Sequence, residues 1–390
     1  MIMVLNGNKA AAWGAKLARV QVIAAYPITP QTPLVEYLAD MVAQGELDAQ
    51  MVEVESEHSA LSVLQGAALA GSRTFTGTSS QGLALMYEPY IRTGTLRLPM
   101  VMCIATREVI SPQTVWGGQQ DALTVRDAGW IQFYVEDNQE LLDTVIMAFK
   151  IAEDKRVLLP VNVCYDGFYL SHMTERVEVP PQELVDAFLP PYKPTHLILD
   201  PAHPIAVDPM TPGDMLMEYR FKHARALSRA EEVIREVDRE FEALFGRGHG
   251  DLIDCYRCED AEFAIVTLGS MTGTARVAVD KARADGIPIG LVKIRVLRPF
   301  PKEAICEALK SMKAVGVMDR SVSFGWGTGI VYVELMAALS GMKRRPKSIN
   351  FIAGLGGSDI SLDHFRRAID LIRDTAQRKK VKEVTWLALE

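Results

Sequence analysis

The chain has few cysteines and no long hydrophobic run. Its five cysteines stand at positions 103, 164, 255, 258 and 306 of 390, an odd number without the spacing of a disulfide framework. The pair Cys255 and Cys258 lacks the further ligands of a zinc or iron–sulfur site. No stretch approaches the ~18 consecutive apolar residues of a membrane-spanning helix, and the first residues lack the charged segment of a signal peptide. We therefore expect no disulfides, no metal site, no export and no membrane insertion, and a cytoplasmic location.

Positive charge is not in excess either. Lysine and arginine number 42 against 49 aspartates and glutamates, which gives a net charge of −7. Nucleic acid and anionic membranes are therefore not expected partners. The hydrolase signatures G-x-S-x-G and H-E-x-x-H are absent from the sequence as well, so hydrolase chemistry has little support.

Residues 1–178 alternate between strand and helix signals. Apolar segments that predict strands occur at 21–25, 50–54, 73–77, 98–105, 131–135 and 157–164, and the segments between them have helical periodicity. Fully apolar strands separated by helices predict a doubly wound, mostly parallel sheet with both faces covered. In such a sheet, ligands bind beyond the carboxyl ends of the strands.

The segment 179–258 has a different composition. Nine prolines between Val179 and Pro212 predict an arm that lies across another surface and forms no helix or central strand of its own. A long helix is predicted from Glu218 to Phe245, because apolar residues recur along it at helical spacing. These residues are Leu227, Ile234, Val237, Phe241 and Leu244.

Residues 259–390 predict a second, smaller α/β domain. Strands are predicted at 263–268, 289–294, 314–318 and 349–353, and helices at 272–284, 302–312 and 328–339. The turn Gly269–Gly273 opens the first of these helices. It is either a simple turn or an anion site built from backbone N–H groups.

The segment Tyr26–Pro30 ends the first apolar strand. Pro27 and Pro30 each fix φ and remove a backbone donor, so the strand stops and Thr29 projects from a stiff loop. A hydroxyl held in this way suits a ligand, although X-Pro turns also occur without any chemistry.

Three carboxylates follow the next strand. Glu53, Glu55 and Glu57 lie at a strand-to-helix turn, where capping of the helix explains one or two of them but not three. A carboxylate in apolar surroundings has a raised pKa and can pass a proton to a heterocycle, which gives Glu57 a catalytic role. The adjacent His58 is more typical of a surface or packing residue.

Two further features point to the same cleft. Arg107 directly follows an apolar strand, and it either binds a carboxylate in two-point contact or pairs with Glu108 or Asp121. The turn Ser79–Gly82 follows another strand and can direct backbone donors toward the cleft.

Several motifs in combination resemble one family. They are Ala25–Pro30 (AYPITP), Glu55–Glu57 (ESE), Phe75–Gly82 (FTGTSSQG), Asp166–Phe168 with Ser171–His172, Arg295–Pro301 (RVLRPFP), Asp319–Arg320 and Ala353–Gly357 (AGLGG). They span nearly the whole chain and resemble the alpha subunit of 2-oxoacid:ferredoxin oxidoreductases, pyruvate:ferredoxin oxidoreductase in particular. The resemblance implies a pyrimidine-binding domain of thiamine enzymes, then the Pro-rich arm and long helix, and then a domain similar to the C-terminal domain of transketolase.

The resemblance also implies a reaction and its site. A 2-oxoacid loses CO2 on thiamine diphosphate, the acyl group passes to coenzyme A, and electrons leave through iron–sulfur clusters to ferredoxin. Glu57 matches the glutamate that hydrogen-bonds the pyrimidine ring, Thr29 the threonine that faces the substrate, and Arg107 the arginine that holds its carboxylate. Pro27, Ile28 and Ser80 are the other residues expected at the pyrimidine half of the cofactor.

The family's reaction requires binding segments that this sequence does not contain, so partner subunits are expected to supply them. The sequence has no Gly-Asp-Gly plus Asn segment of the kind that holds magnesium and the diphosphate, and no cysteine cluster for electron transfer. The resemblance therefore implies a beta subunit for the diphosphate half, a ferredoxin-like delta subunit for the clusters, and a gamma subunit. The chain is expected to be inactive without them.

One departure from the family concerns the substrate. Where pyruvate-type members carry a Gly-Asp-His-x-Asp segment, this chain has Trp116–Asp121 (WGGQQD), so an Asp-His pair is lost and Trp116 adds an apolar wall. Pyruvate is the default prediction, and a bulkier branched-chain or aromatic acid or 2-oxoglutarate is the alternative. Two hypotheses of a different kind are a non-oxidative thiamine enzyme and a scaffold without activity.

Overall fold

The computed structural model describes residues 1–109, 111–194, 197–377 and 379–389, which form two α/β units connected by an arm and a long helix. The strands are β1 (Ile2–Asn6), β2 (Val22–Ala25), β3 (Gln50–Glu53), β4 (Thr74–Thr78), β5 (Val101–Thr106), β6 (Ile131–Tyr134), β7 (Val161–Asp166), β8 (Thr174–Glu178), β9 (Ile253–Tyr256), β10 (Phe263–Leu268), β11 (Ile289–Ile294), β12 (Val296–Arg298), β13 (Ala314–Asp319), β14 (Lys347–Ile352) and β15 (Val384–Trp386).

The helices cover these strands. They are α1 (Gly7–Leu17), α2 (Thr32–Ala43), α3 (Glu57–Leu69), α4 (Ser80–Leu85), α5 (Tyr87–Leu96), α6 (Gln120–Thr124), α7 (Asn138–Glu153), α8 (Gln182–Phe188), α9 (Gly213–Phe245), α10 (Met271–Ala284), α11 (Lys302–Leu309), α12 (Ile330–Leu339) and α13 (Leu362–Ala376). In the described part of the chain, no helix combines the length and apolarity that crossing a bilayer requires.

Two sheets carry the fold, and both are mostly parallel. The first has seven strands in the order β12-β6-β7-β5-β4-β2-β3, of which β12 is antiparallel to its neighbour. The second has six strands in the order β15-β14-β13-β10-β11-β9, of which β9 is antiparallel. The predicted doubly wound α/β class is therefore confirmed.

The strand β12 does not follow the division of the chain into two domains. It lies within the segment assigned to the second domain, yet Val296 pairs with Phe133 of β6 in the first sheet. Tyr134 N also donates to Arg295 O at 2.8 Å. The first sheet is therefore completed by residues far along the chain.

The prediction that the Pro-rich arm forms no helix was wrong for one segment. The seven residues of α8 lie between Pro181 and Pro190, in a stretch that contains no proline to break a helix. The arm does lie across the first unit, as predicted, because Leu199 N donates to Leu69 O at 2.7 Å.

The long helix begins at Gly213, earlier than the predicted Glu218. Of the predicted apolar face, Ile234, Val237 and Phe241 are buried, whereas Leu244 is 38% exposed. The helix ends one residue after Leu244, so this side chain lies where the helix leaves the core.

Three apolar clusters place the sheets in layers. One packs α1, α2, α7 and α9 on one face of the first sheet, and another packs α10 and α13 on the outer face of the second. The central cluster contains residues of both units, such as Leu64 and Ile104 from the first and Val292 and Leu335 from the second. The two units therefore share a core, which fixes them to each other.

Candidate active site

Parallel strands of the first sheet end at one edge, and the predicted site residues follow them there. Thr29 comes after β2, Glu57 after β3, Ser80 after β4 and Arg107 after β5. In open α/β sheets this edge is where ligands bind.

The segment Tyr26–Pro30 forms a closed turn between β2 and α2. Ile28 O accepts hydrogen bonds from Gln31 N at 2.7 Å and Thr32 N at 3.0 Å, and the buried Asn8 side chain donates to Pro30 O at 2.9 Å. Thr29 itself remains exposed, as does Pro27, while Ile28 is half-buried. The turn therefore holds the Thr29 hydroxyl in a fixed and accessible place.

The Arg107 guanidinium lies against this turn. It is 3% exposed, and it donates from Nη1 to Thr29 O at 2.7 Å and from Nε to Thr114 O at 2.8 Å. Burial lowers its pKa, and the Asp121 carboxylate opposes this effect. Within the described residues, the hydrogen bonds of the guanidinium go to these two backbone carbonyls, and Asp121 instead accepts from the Arg107 backbone N–H at 3.0 Å. The structure thus brings Arg107 and Thr29 together, and leaves N–H donors of the fork for a ligand.

Asp121 holds the loops that carry Arg107 and Ser80. Its Oδ2 accepts from Arg107 N at 3.0 Å and from Ser80 N at 2.8 Å, and its Oδ1 accepts from Ala122 N at 2.7 Å. Burial raises the pKa of Asp121 to about 7, against the effect of these three N–H donors. The sequence indicates Asp121 only as an ion-pair partner of Arg107, because acceptance of backbone N–H groups from distant strands leaves no local signature.

Ser80 adopts an unusual backbone conformation. Its φ is +43°, its side chain is buried, and its Oγ donates to Glu108 O. A serine in the left-handed region is held there by its surroundings, in this case by the bonds to Asp121 and Glu108. The turn after β4 is therefore rigid, as a binding loop requires.

Glu57 is the one buried carboxylate of the acidic turn. Glu53 and Glu55 are exposed, whereas Glu57 is 5% exposed and begins α3 behind the N-cap Ser56. A Cβ on Gly82 would lie 2.8 Å from Glu57 Cδ and 2.5 Å from Thr78 Oγ1, so the carboxyl reaches the turn after β4 only because residue 82 is a glycine. Burial raises the pKa of Glu57.

Several buried polar atoms in the described turns after β2 and β4 have no partner, and Thr78 Oγ1 lies with the Glu57 carboxyl beside Gly82. In the described residues, the buried Thr78 Oγ1, Ser79 Oγ, Gln81 Oε1 and Gln31 Nε2 make no hydrogen bond. Buried polar atoms are nearly always paired, so four in neighbouring loops need an explanation. A polar heterocycle beside Glu57 supplies donors and acceptors of the right kind, and the residues present therefore fit the aminopyrimidine of thiamine diphosphate.

The turn Gly269–Gly273 binds the carboxylate of Asp166, a residue of the same chain. Ser270 N donates to Asp166 Oδ2 at 2.9 Å, and Arg320 Nη1 lies 3.2 Å from the same oxygen. Gln119 Nε2 bridges the two units by donating to Asp166 Oδ1 and Leu268 O, both at 3.1 Å. The turn is therefore a joint between the units, and Asp166 occupies the place considered for a bound anion.

The cysteine pair lies outside this edge of the sheet. Cys255 is exposed at the end of β9, and contact with the Cys258 thiol lowers its pKa, while Cys258 Sγ donates to Leu291 O at 3.3 Å. No group of three or more potential metal ligands occurs in the described ranges.

Comparison with known proteins decides the family. The family model described as pyruvate flavodoxin/ferredoxin oxidoreductase, thiamine diphosphate-binding, matches residues 13–239, and that of pyruvate:ferredoxin oxidoreductase core domain II matches residues 261–365. The alpha subunit of NADH-dependent phenylglyoxylate dehydrogenase from Aromatoleum evansii is 51% identical over 95% of this chain and 90% of its own length. The chain is an alpha subunit of the 2-oxoacid:ferredoxin oxidoreductase family.

A further relative resembles this alpha subunit in sequence, and a solved structure resembles it in fold. Pyruvate synthase subunit PorA from Methanocaldococcus jannaschii is 45% identical over 100% of this chain and 98% of its own length. A structure of 2-oxoglutarate:ferredoxin oxidoreductase from Magnetococcus marinus, with 2-oxoglutarate, coenzyme A and succinyl-CoA bound, superposes with a TM-score of 0.73 at 20% identity. The match covers 96% of this chain and 65% of that one, and it shows the fold alone.

Proposed function

We propose that this alpha subunit forms the pyrimidine side of a thiamine diphosphate site at which a 2-oxoacid is oxidatively decarboxylated to acyl-CoA and CO2, with electrons passing to ferredoxin. The observation that carries the proposal is Glu57, a buried carboxyl with a raised pKa beside the unpartnered Thr78 Oγ1. The thiamine diphosphate description of the matching family model supports the same assignment.

Glu57 acts on the cofactor. A carboxyl with a raised pKa holds its proton more readily than an exposed one and can share it with a ring nitrogen of the aminopyrimidine. Pro27 and Ile28 line the ring from the turn after β2, and Ser80 lines it from the turn after β4. When bound, thiamine diphosphate supplies the carbon nucleophile that attacks the carbonyl of the 2-oxoacid.

Arg107 and Thr29 act on the substrate. The guanidinium has five N–H donors, and its contacts with Thr29 O and Thr114 O use two of them. The others bind the substrate carboxylate, which orients the carbonyl toward the cofactor. The Thr29 hydroxyl, held still by its turn, donates to the substrate from the same side.

The other components are supplied by partner subunits. The relatives are named as subunits, which supports a hetero-oligomer. We assign magnesium and the diphosphate half of the cofactor to a beta subunit, iron–sulfur clusters to a ferredoxin-like delta subunit, and further contacts to a gamma subunit. Coenzyme A is the co-substrate, and the Magnetococcus marinus structure contains it as a bound ligand. Five cysteines without disulfides support a cytoplasmic location.

The identity of the acid depends on what surrounds its side chain. The carboxylate and carbonyl are common to all 2-oxoacids, and the relatives are named for acids as different as pyruvate and phenylglyoxylate. Pyruvate, the smallest of these acids, is the substrate expected from the family resemblance alone. The surroundings of Trp116 decide whether a larger acid fits.

The test is Glu57→Gln in the complex co-purified with its partner subunits. The amide cannot share a proton in the same way, so we expect 2-oxoacid- and coenzyme A-dependent reduction of ferredoxin to fall by about 10²–10⁴-fold. The matched control is Glu55→Gln, because Glu55 lies in the same turn but is exposed. Near-normal activity of an assembled Glu57→Gln complex would overturn the proposed function.

A further inference from the structure

An aromatic cluster lies beside the proposed substrate contacts. Trp116, Phe168 and His172 come from two loops, and their rings touch in sequence. The Trp116 and Phe168 ring centroids are 4.6 Å apart at 54°, and the Phe168 and His172 centroids are 4.7 Å apart at 18°. These separations are typical of favourable aromatic pairs.

Glycines connect this cluster to Arg107 and to the turn of Thr29. Gly117 follows Trp116 and pairs with Arg107 in an isolated β-bridge, and Gly167 precedes Phe168. A Cβ on Gly167 would lie 2.9 Å from Pro30 Cγ and 3.6 Å from Gly117 Cα. The loops that carry Pro30, Gly117 and Gly167 therefore approach so closely that there is little room for a side chain at position 167. Trp116 is thus the neighbour of a glycine that pairs with Arg107, and Phe168 is the neighbour of a glycine that lies against the turn of Thr29.

The Phe168 ring is held in place by a strained backbone. Its φ is +63°, in the left-handed region that bulky residues rarely adopt. Phe168 N donates to Ser171 Oγ at 2.8 Å, and the same Oγ is 2.8 Å from His172 Nδ1, so one buried serine fixes both rings. Strain of this kind persists where the surroundings enforce it, commonly at ligand contacts.

Trp116 is supported on one side and open on the other. Its Cβ lies against Gly357 of the second unit, where a Cβ on the glycine would come within 2.6 Å. The side chain nevertheless remains 52% exposed. Its indole ring therefore presents a supported aromatic surface at the mouth of the site.

The cluster contains no permanently charged side chain. Partial burial lowers the pKa of His172 below its usual value, which favours the neutral imidazole. Neutral, flat rings favour an apolar ring over a carboxylate, which disfavours the second carboxylate of 2-oxoglutarate.

We propose that Trp116, Phe168 and His172 form the specificity wall of the substrate site and select a 2-oxoacid with an aromatic side chain. The inference rests on the proposed function, because the wall has meaning only if Arg107 and Thr29 hold the acid. With the carboxylate bound at Arg107, the side chain of the acid extends toward the rings and packs against them. Pyruvate has only a methyl group to place against the rings, so it gains little from the wall.

The experiment compares two probes in the co-purified complex, phenylglyoxylate and pyruvate, with coenzyme A and a dye acceptor. We expect the wild-type complex to favour phenylglyoxylate in kcat/KM by about tenfold or more. Trp116→Ala should lower kcat/KM for phenylglyoxylate by about tenfold or more and that for pyruvate by less than about threefold, since only the larger acid loses a contact. Trp116→Phe should retain the preference because it keeps a ring.

The outcomes separate the two proposals. Trp326→Ala is the matched control, because it removes a tryptophan that is 76% exposed and outside the wall. An unchanged preference in Trp116→Ala, equal losses for both acids, or a wild-type preference for pyruvate would overturn the specificity wall and leave the proposed function standing. An assembled wild-type complex that turns over neither these acids nor any other 2-oxoacid would overturn the proposed function itself.

Discussion

Arg107 Nη1 donates a hydrogen bond to the backbone carbonyl of Thr29, 2.7 Å away. The residues are 78 positions apart, and the contact joins the loops after two different strands of the first sheet. The proposed carboxylate-binding group is thus fixed to the turn that displays the proposed substrate hydroxyl. Since the contact uses the Thr29 backbone, the Thr29 side chain remains accessible.

Arg107→Ala should mainly raise KM for the 2-oxoacid. Charge-assisted hydrogen bonds to a carboxylate stabilise ground state and transition state alike, so we expect KM to rise by about 10–100-fold with a smaller change in kcat. Steady-state kinetics of the complex measure both. Arg92→Ala is the control, since Arg92 forms an exposed pair with Asp208. A fall in kcat at unchanged KM would contradict the assignment.

Gly82→Ala should displace the Glu57 carboxyl. The added methyl would meet Glu57 Cδ at 2.8 Å and Thr78 Oγ1 at 2.5 Å, and a displacement near 1 Å in an active site costs about 100-fold in rate. Activity of the complex and thermal unfolding are the measurements.

The chain offers a matched control for this substitution. Gly66 lies within α3, and a Cβ there would meet nothing within 4 Å. Gly66→Ala should leave activity intact and stabilise the chain by about 0.4–1 kcal/mol. Equal activity of the Gly66→Ala and Gly82→Ala complexes would show that the Glu57 position is unimportant.

Asp121 should make stability depend on pH. Burial raises its pKa from 3.8 to about 7 in the folded chain, so the folded state binds a proton that the unfolded state has released. The corresponding stabilisation is complete below pH 4 and is lost as the pH rises through about 7. Between pH 5 and pH 8, the free energy of unfolding of the wild type should therefore fall more than that of Asp121→Asn. Parallel pH curves would refute this.

Glu140 should be essential to the contact between α7 and β11. Burial acts to raise its pKa, but Lys293 at 2.6 Å and Arg295 at 2.9 Å outweigh it and lower the pKa to about 2. In Glu140→Gln, Lys293 keeps Glu136 at 3.2 Å and Arg295 keeps Asp238 at 3.2 Å. Part of the counter-charge is still lost, so we expect a loss of up to about 3–5 kcal/mol in chemical denaturation. The exposed pair of Glu46 with Lys16 is the control, and Glu46→Gln should cost about 0–1 kcal/mol.

Much of the fold was predictable because buried parallel strands are continuous apolar runs. The strands at 263–268 and 289–294 agree with the structure to the residue. The helix α8 was not predicted, because the prediction used the proline content of the whole arm and overlooked a short segment without proline. The place of β12 was missed because nothing local in three residues indicates which sheet they join.

The positions of the proposed site residues were predictable where a residue directly follows an apolar strand. Glu57 stands out as a carboxylate at a strand end, and burial of Glu57 alone among the acidic residues of its turn agrees with that choice. Asp121 and Asp166 act by accepting hydrogen bonds from segments that are remote in sequence. Such roles depend on tertiary structure, so no pattern in the sequence indicates them.

The pairing of β12 with β6 has a consequence for how the chain is made. A ribosome releases β6 long before residue 298, so the outer edge of the first sheet stays open while more than 150 residues are synthesised. An unpaired strand edge is a template for pairing with another chain. A truncated gene product that stops after the long helix would expose that edge permanently, and aggregation is the expected fate of such a fragment.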